Sequence, residues 1–237
     1  MKSWMLFSML IPLVMSTGCA ANAARLVART GSADSGIVVQ GEGEAQAAPD
    51  LAVLRVGVEA HRPTMAEARE ASASAQTRIL DAVRALGVAA ADVQTEQLTL
   101  APDYEYGEAG RRLRGYVATN VVSVRIRDVA RAGEIVDATV GAAGDDARVD
   151  GVAFEIEDGT ALRAEARRRA VADARAKAEQ LAAELGGRVG DPIFVEETAV
   201  NPPGPMMMRL AADASTPIAA GELTMNVSVR VRWTLSR

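Results

Sequence analysis

The sequence predicts an α+β fold in which helices pack on one face of a mainly antiparallel sheet. The first observation is the order of hydrophobic periodicities between residues 51 and 156, which reads strand, helix, strand, strand, helix, strand. This order is the βαββαβ pattern of a ferredoxin-like core. The second is a long helical pattern after that core, and the third is a long alternating strand at the C-terminus. We therefore expect the core to be extended by a long helix and two further strands, with the first strand in the same layer. The alternative is a division into two lobes.

The first half of the folded part contains one helix with clear signals at both ends. Thr64 and Glu67 are three residues apart and match a capping box, in which each side chain accepts a backbone N–H of the other. Gly87 is placed to terminate the helix. A polar connection is expected over 102–114. The strands of this half are predicted at 37–45, 51–60, 93–100 and 116–127.

The second half is organised around the segment 151–187, which reads as a strand followed by a long helix. Asp158 or Thr160 can cap this helix, because a short side-chain oxygen accepts the unpaired N–H groups of the first turn. Its hydrophobic stripe consists mostly of alanine, and small residues allow a helix to lie close to a sheet. The predicted stripe contains Leu162, Ala166, Ala170, Ala174, Ala178, Leu181 and Leu185.

The remaining elements complete the sheet. Asp128 is expected to cap a short helix that is broken at Gly141, and 192–198 is expected to form a strand. Residues 199–216 read as a loop rich in proline, methionine and alanine. From Leu223 to Leu235 apolar and polar residues alternate without a break. Such a strand is typical of an antiparallel sheet with one side open to solvent or to another subunit.

The composition excludes some classes of function. The net charge of the 237 residues is −5, which gives no electrostatic support for general nucleic-acid binding, so no nucleic-acid partner is expected. Cys19 is the only cysteine, so no intramolecular disulfide can form.

The N-terminus predicts export. Residues 1–24 carry a lysine, an apolar stretch of signal-peptide length and small residues, and 25–35 read as a flexible tether before the domain at 36–237. Gly18-Cys19 resembles a lipoprotein processing site, which predicts lipidation of Cys19 and residence in the periplasm, anchored to the outer membrane. The alternative is cleavage after Ala23, which removes Cys19.

No catalytic residues are predicted. His61 is the only histidine and lies in a turn, and neither a Ser-His-Asp arrangement with Ser72 or Ser123 nor a zinc site has the required sequence context. Gly41–Ala45 matches a dinucleotide-binding glycine pattern, but a strand follows where that site needs a helix. Arg167–Arg169 has acidic partners at helical spacing and reads as an exposed helix face. No cofactor is expected.

Met206, Met207 and Met208 form the one unusual cluster. Thioethers are soft ligands that favour Cu(I), so this triplet is a candidate copper site. Methionines in a loop are also adaptable contact residues for another subunit or a lipid surface. Both readings remain open, together with an inert loop.

Three blocks of the sequence resemble the SIMPL-domain family. They are the N-terminal Ile37–Ala45 with Pro49-Asp50, the strand and helix at 151–187, and Pro217–Leu223 before the final strand. The resemblance covers residues 36–237. It implies an exported bacterial envelope protein with no established catalytic residues, links to envelope or oxidative stress, and large oligomers in some members.

These observations favour a non-enzymatic, self-assembling envelope protein that forms homo-oligomers and contacts the membrane through a lipid anchor. The alternative is a periplasmic module that binds a small ligand or copper.

Overall fold

The computed structural model describes residues 35–107, 110–202, 204, 206–208 and 221–236. The predicted export signal, Cys19 and nearly all of the predicted tether lie outside the described residues. The compact unit runs from Ile37 to Arg237. Its strands are β1 Ile37–Ala47, β2 Leu51–Arg62, β3 Val93–Gly107, β4 Gly110–Ile126, β5 Ala147–Glu155, β6 Arg188–Asn201, β7 Met206–Met208 and β8 Leu223–Ser236. Its α-helices are α1 Met65–Ala85, α2 Ala132–Ala143 and α3 Thr160–Glu184.

Five strands form the ferredoxin-like part. Their order is β3-β4-β2-β5-β7, and every neighbouring pair is antiparallel. α1 and α2 pack on one face, where Leu54, Val56, Ile79, Val124 and Phe154 are fully or almost fully buried. The predicted α+β class and βαββαβ core are confirmed. The sheet leaves its other face without a helix among the described residues.

Three strands form a second sheet in the order β1-β8-β6, also antiparallel. β1 therefore lies in a separate sheet and not in the layer of the ferredoxin-like core, which corrects that expectation. β1 pairs over its full length with the C-terminal strand β8, from Ile37 opposite Trp233 to Ala47 opposite Leu223. It therefore forms a sheet with β8 instead of joining the core. α3 covers one face of this sheet and forms a second hydrophobic core with it.

α3 lies unusually close to β1, as its alanine stripe predicted. A Cβ atom added to Gly41 would lie 2.1 Å from the carbonyl oxygen of Ala170, and one added to Gly43 would lie 2.0 Å from that of Ala166. Only glycine in the strand and alanine in the helix allow this approach. The buried stripe consists of Ala166, Ala170, Ala174, Ala178 and Ala182.

Several predicted details differ from the structure. Leu181 and Leu185 are exposed, because the buried stripe continues through Ala182 and turns away from them. Asp128 provides no side-chain cap for α2, and Gly141 lies inside that helix. Asp158 does accept the backbone N–H of Thr160 at 2.9 Å, and the Thr64–Glu67 capping box is present.

The connection predicted at 102–114 is instead mostly strand. β3 and β4 stay paired from Val93 to Gly107 and from Gly110 to Ile126. The predicted loop at 199–216 likewise contains a short strand, β7, which pairs with residues 152–154 of β5.

Candidate interaction surfaces

β6 is an edge strand with both faces exposed. Among the described residues it pairs only with β8. Ile193, Phe194 and Val195 follow one another on it and are 52%, 47% and 60% exposed. An edge strand presents unpaired backbone N–H and C=O groups, and apolar side chains beside them favour pairing with another strand. We call Ile193–Val195 the β6 patch.

β1, at the opposite edge of the same sheet, has three of its backbone groups hydrogen-bonded by side chains of α3. The N–H of Glu42 donates to the carboxylate of Asp173 at 2.9 Å. Lys177 donates to the carbonyl oxygen of Gln40 at 3.1 Å, and Arg169 donates to that of Glu44 at 2.7 Å. Lys177 and the Glu42 N–H together hold the pKa of Asp173 below its ordinary value.

The two edges of this sheet therefore differ. α3 closes the β1 edge, because its polar side chains occupy the positions that a neighbouring strand would use. No helix side chain bonds to the backbone of β6 in the described part of the chain. Side chains of α3 thus hinder pairing with another strand at β1, and they do not do so at β6 in the described part of the chain.

A groove runs between α3 and β6, with β8 as its floor. Its volume is about 480 Å³, and its lining is Val171, Arg175, Val189, Gly190, Asp191, Pro192, Val195, Val231 and Trp233. A second depression of about 620 Å³ continues it across α3, lined by Ala164, Arg167, Arg168, Val171, Ala172 and Arg175. Val171 and Arg175 belong to both, so the two form one surface, which we call the α3 groove.

The arginines of the α3 groove have carboxylate partners at the protein surface. Arg167 donates to Glu197 of β6 at 2.6 Å, and this pairing lowers the pKa of Glu197. Arg175 pairs with Glu179 at 2.8 Å, and Arg168 pairs with Glu165. Exposed ion pairs of this kind are weak, so the N–H groups of these guanidinium groups can also donate hydrogen bonds to a further anion. The expectation that Arg167–Arg169 lies on an exposed, ion-paired helix face is confirmed.

The β3–β4 hairpin extends past the rest of its sheet. Leu98 is 71% exposed and Tyr106 is 77% exposed on it. The guanidinium of Arg111 lies 3.9 Å from the ring centroid of Tyr104, and Arg112 pairs with Glu105 at 2.9 Å. The cation–π and ionic contacts hold the two strands together where no core supports them.

The open face of the five-stranded sheet carries a network of arginines and carboxylates. Arg55 pairs with Glu96 at 2.7 Å, and Arg148 bridges Asp150 at 2.8 Å and Glu59 at 2.5 Å. Arg148 is held by two carboxylates, first by Asp150, and its pKa is raised. Each of these charged side chains has a partner of opposite sign, so the network is best explained as stabilising the surface of the sheet.

Arg127 and Arg125 extend this network at the edge of the sheet. They donate to Glu157 at 3.0 Å and 2.9 Å, and Arg127 also pairs with Asp92 at 2.6 Å. The pKa of Glu157 is lowered, mainly by the hydrogen bond from Arg127 and then by that from Arg125.

His61 lies between two carboxylates at the base of the hairpin. Its Nδ1 is 3.3 Å from Asp103, and its Nε2 is 3.3 Å from Glu59. The two ring nitrogens contact different carboxylates on opposite sides of the ring, so His61, Asp103 and Glu59 do not surround a common site. The structure brings neither Ser72 nor Ser123 into a hydrogen bond with His61.

The aspartates around the start of β5 belong to separate ion pairs. Asp146 pairs with Arg62 at 2.6 Å, and Asp150 pairs with Arg148 at 2.8 Å, so they do not form one site. Within the described residues, no group of three or more His, Cys, Asp or Glu side chains could hold a metal ion. The backbone of Met206–Met208 forms β7, and the copper site on these methionines remains a prediction.

Sequence reasoning missed the β6 patch. The segment 192–198 was expected to be an ordinary strand, and its apolar residues look like core residues. One signal was available, because Ile193, Phe194 and Val195 are consecutive. Consecutive apolar residues in a strand place apolar side chains on both faces, and among the described residues a helix covers only one face of this sheet.

None of the helices in the described residues is long and apolar enough to cross a membrane.

The fold and its surfaces define a class of protein: a two-sheet α+β domain whose exposed features are an apolar edge strand and an arginine-lined groove. The chain belongs to the SIMPL family, described as a protein of unknown function (DUF541), whose model matches residues 37–233. The predicted family is confirmed.

Curated relatives match over most of their length. The chain is 36% identical over 213 residues to a 26 kDa periplasmic immunogenic protein of Brucella melitensis biotype 1, covering 82% of each chain. The protein of the same name from Brucella abortus matches equally well. The uncharacterized protein YggE of Escherichia coli K12 is 26% identical over 187 residues, covering 78% of this chain and 75% of the relative. None of these names specifies an enzymatic activity.

Proposed function

We propose that this protein is a non-enzymatic periplasmic protein that assembles with copies of itself through the β6 patch. The observation that carries the proposal is the difference between the two edges of the β1-β8-β6 sheet. α3 blocks β1 with three side-chain hydrogen bonds to its backbone, whereas β6 is open and apolar. Pro192 and the register shifts beside it restrict pairing at the start of β6, but they leave three consecutive apolar residues exposed on an edge strand. An exposed apolar edge of this kind favours a partner strand.

Charged residues on both sides of the β6 patch limit which strand can pair with it. Asp191 precedes the patch and Glu196 and Glu197 follow it. Glu197 is held by Arg167 and Glu196 lies 3.7 Å from Arg230, so these carboxylates are oriented. A second copy offers the same three apolar positions in an antiparallel arrangement about a twofold axis. In that arrangement Asp191 of one copy lies near Glu197 of the other, and the ion pair between Glu197 and Arg167 offsets this contact of like charges.

The test is the mass of the exported protein in solution. Light scattering at several concentrations should give a discrete oligomer for the wild type. The double variant Ile193→Lys and Phe194→Thr should shift it to the monomer, since a lysine on an edge opposes pairing and threonine retains strand propensity.

Leu185→Lys is the matched control, because it also places a lysine at an exposed apolar position, the C-cap of α3. This control should leave the oligomer unchanged, and circular dichroism should show that all variants are folded. A wild-type monomer at every concentration, or an unchanged oligomer in the double variant, would refute the proposal.

The location in the periplasm is supported by the export signal read in residues 1–24 and by similarity to a protein named as periplasmic. We extend the proposal to an outer-membrane anchor at Cys19. Mass spectrometry of the mature N-terminus should find a lipidated Cys19 as the first residue. A mature chain that begins after Ala23 would show that no anchor is attached there.

A further inference from the structure

We infer that the α3 groove binds a long-chain fatty acid, with the acyl chain between α3 and β6 and the carboxylate at the arginines. This inference goes beyond assembly and does not depend on it. The α3 groove combines aliphatic side chains with three arginines of α3, and Val171 and Arg175 belong to both of its parts. We call the part between α3 and β6 the channel, and the open face of α3 that carries Arg167, Arg168 and Arg175 the shelf.

The channel fits an acyl chain by its chemistry. Its walls are mostly aliphatic side chains from both elements, with Arg175 and Asp191 as the charged residues, and its floor includes Val231 and Trp233, which are almost fully buried. Its volume of about 480 Å³ lies within the range of small-molecule sites, roughly 300 to 1,000 Å³. One channel of this size accommodates one chain, so a free fatty acid fits it better than a two-chain lipid.

The arginines of the shelf would bind the carboxylate of the fatty acid. Arg167, Arg168 and Arg175 contribute three guanidinium groups, each with five N–H donors. Their present partners are exposed carboxylates, and a weak surface ion pair leaves donors available to a ligand carboxylate. An amphiphile with one anionic end matches this distribution of charge.

A peptide fits the groove less well. The backbone hydrogen-bonding groups of a strand lie in the plane of its sheet, whereas the groove lies above the sheet beneath α3. A peptide in the groove would therefore leave its own backbone groups without partners from β6 or β8, and burial of unpaired amides is unfavourable. A hydrocarbon chain has no such groups.

Trp233 makes the inference directly measurable. It lines the channel, and the sequence has only one other tryptophan, Trp4. Trp4 lies in the predicted export signal, so the exported protein has Trp233 as its tryptophan. Titration of the exported protein with dibrominated stearate should quench the fluorescence of Trp233 in a saturable manner, because bromine quenches on contact. The methyl ester of the same acid should bind at least about tenfold more weakly, since it lacks the charge.

The matched variants place the same residue on two flanks of one helix. Val171→Glu puts a carboxylate into the groove and should weaken binding at least about tenfold. Leu181→Glu lies on the flank of α3 away from the groove and should bind like the wild type. Both positions are exposed, so neither change is expected to prevent folding.

The inference is overturned if no saturable quenching occurs, if Val171→Glu binds like the wild type, or if the methyl ester binds as tightly as the acid. The Ile193→Lys and Phe194→Thr variant separates this result from assembly, because neither residue lines the groove. Retained quenching in that variant supports a groove that functions in the monomer. Loss of quenching together with the oligomer would place the acid between subunits and refute the site inferred here.

Discussion

Gly43→Ala tests the close contact between α3 and β1. The added Cβ atom would lie 2.0 Å from the carbonyl oxygen of Ala166 and 2.3 Å from the backbone nitrogen of Ala170. Both neighbours are backbone atoms of a helix, so no side-chain rotation can relieve the overlap. α3 must move away by about 1.4 Å to restore a contact of 3.4 Å.

The cost of this movement follows from the packing it disturbs. Five buried alanines lie on the stripe of α3, and a gap of 0.5 to 1 Å already removes roughly a quarter to a half of the dispersion energy at each contact. We expect a loss of about 3 kcal/mol in the free energy of unfolding, at the upper end of overpacking effects. Urea denaturation should show a midpoint lowered by roughly 1 to 2 M, for a slope of about 2 kcal/mol per M.

Gly141→Ala is the matched control. A Cβ atom at Gly141 meets nothing within 4 Å, and the residue lies in helix α2 with no strained backbone angle. The control should therefore stabilise the protein by about 0.5 to 1 kcal/mol. If Gly43→Ala lost less than about 0.5 kcal/mol, the contact between α3 and β1 would not be as close as the structure has it.

Two further predictions concern a helix cap and a surface carboxylate. Thr64→Ala removes the capping box of α1 and should lower the free energy of unfolding by about 1 kcal/mol, whereas Thr77→Ala, in the exposed interior of the same helix, should change it by less than about 0.5 kcal/mol. Equal effects in urea denaturation would contradict a specific role of the cap. Glu157 has a pKa lowered from its ordinary value of 4.5, chiefly by Arg127, so its contribution to stability is present above that value and fades as the pH falls through the lower, folded-state pKa. The stability of Glu157→Gln should decline less steeply than that of the wild type on acidification from pH 6 to 3, and parallel curves of denaturation midpoint against pH would argue against this role.

The sequence predicts those parts of the fold that depend on local pattern. The Thr64–Glu67 box, the glycine after α1 and the alanine stripe of α3 are short-range signals with a direct physical cause. The hairpin formed by β3 and β4 was predicted too short, because its polar residues look like a loop until cross-strand pairs such as Arg112 with Glu105 are known. Such pairs depend on register, which local composition does not determine.

The candidate surfaces were less predictable for a related reason. Ile193–Val195 are exposed because α3 does not cover that part of the sheet. Which part α3 covers depends on how three strands and a helix pack together. The groove likewise joins Val171 to residues of β6 and β8 that are distant in sequence. An apolar residue in a predicted strand can serve a core or an interface equally well.

The pairing of β1 with β8 joins the beginning of the domain to its end, since Ile37 lies opposite Trp233. β8 is also the central strand of its sheet, so β1, α3 and β6 have no complete core until the last strand arrives. Contacts this distant in sequence form late and slow folding. A chain that crosses a membrane from its N-terminus would therefore keep this half of the domain unfolded, and able to pass a narrow channel, until its final residues emerge.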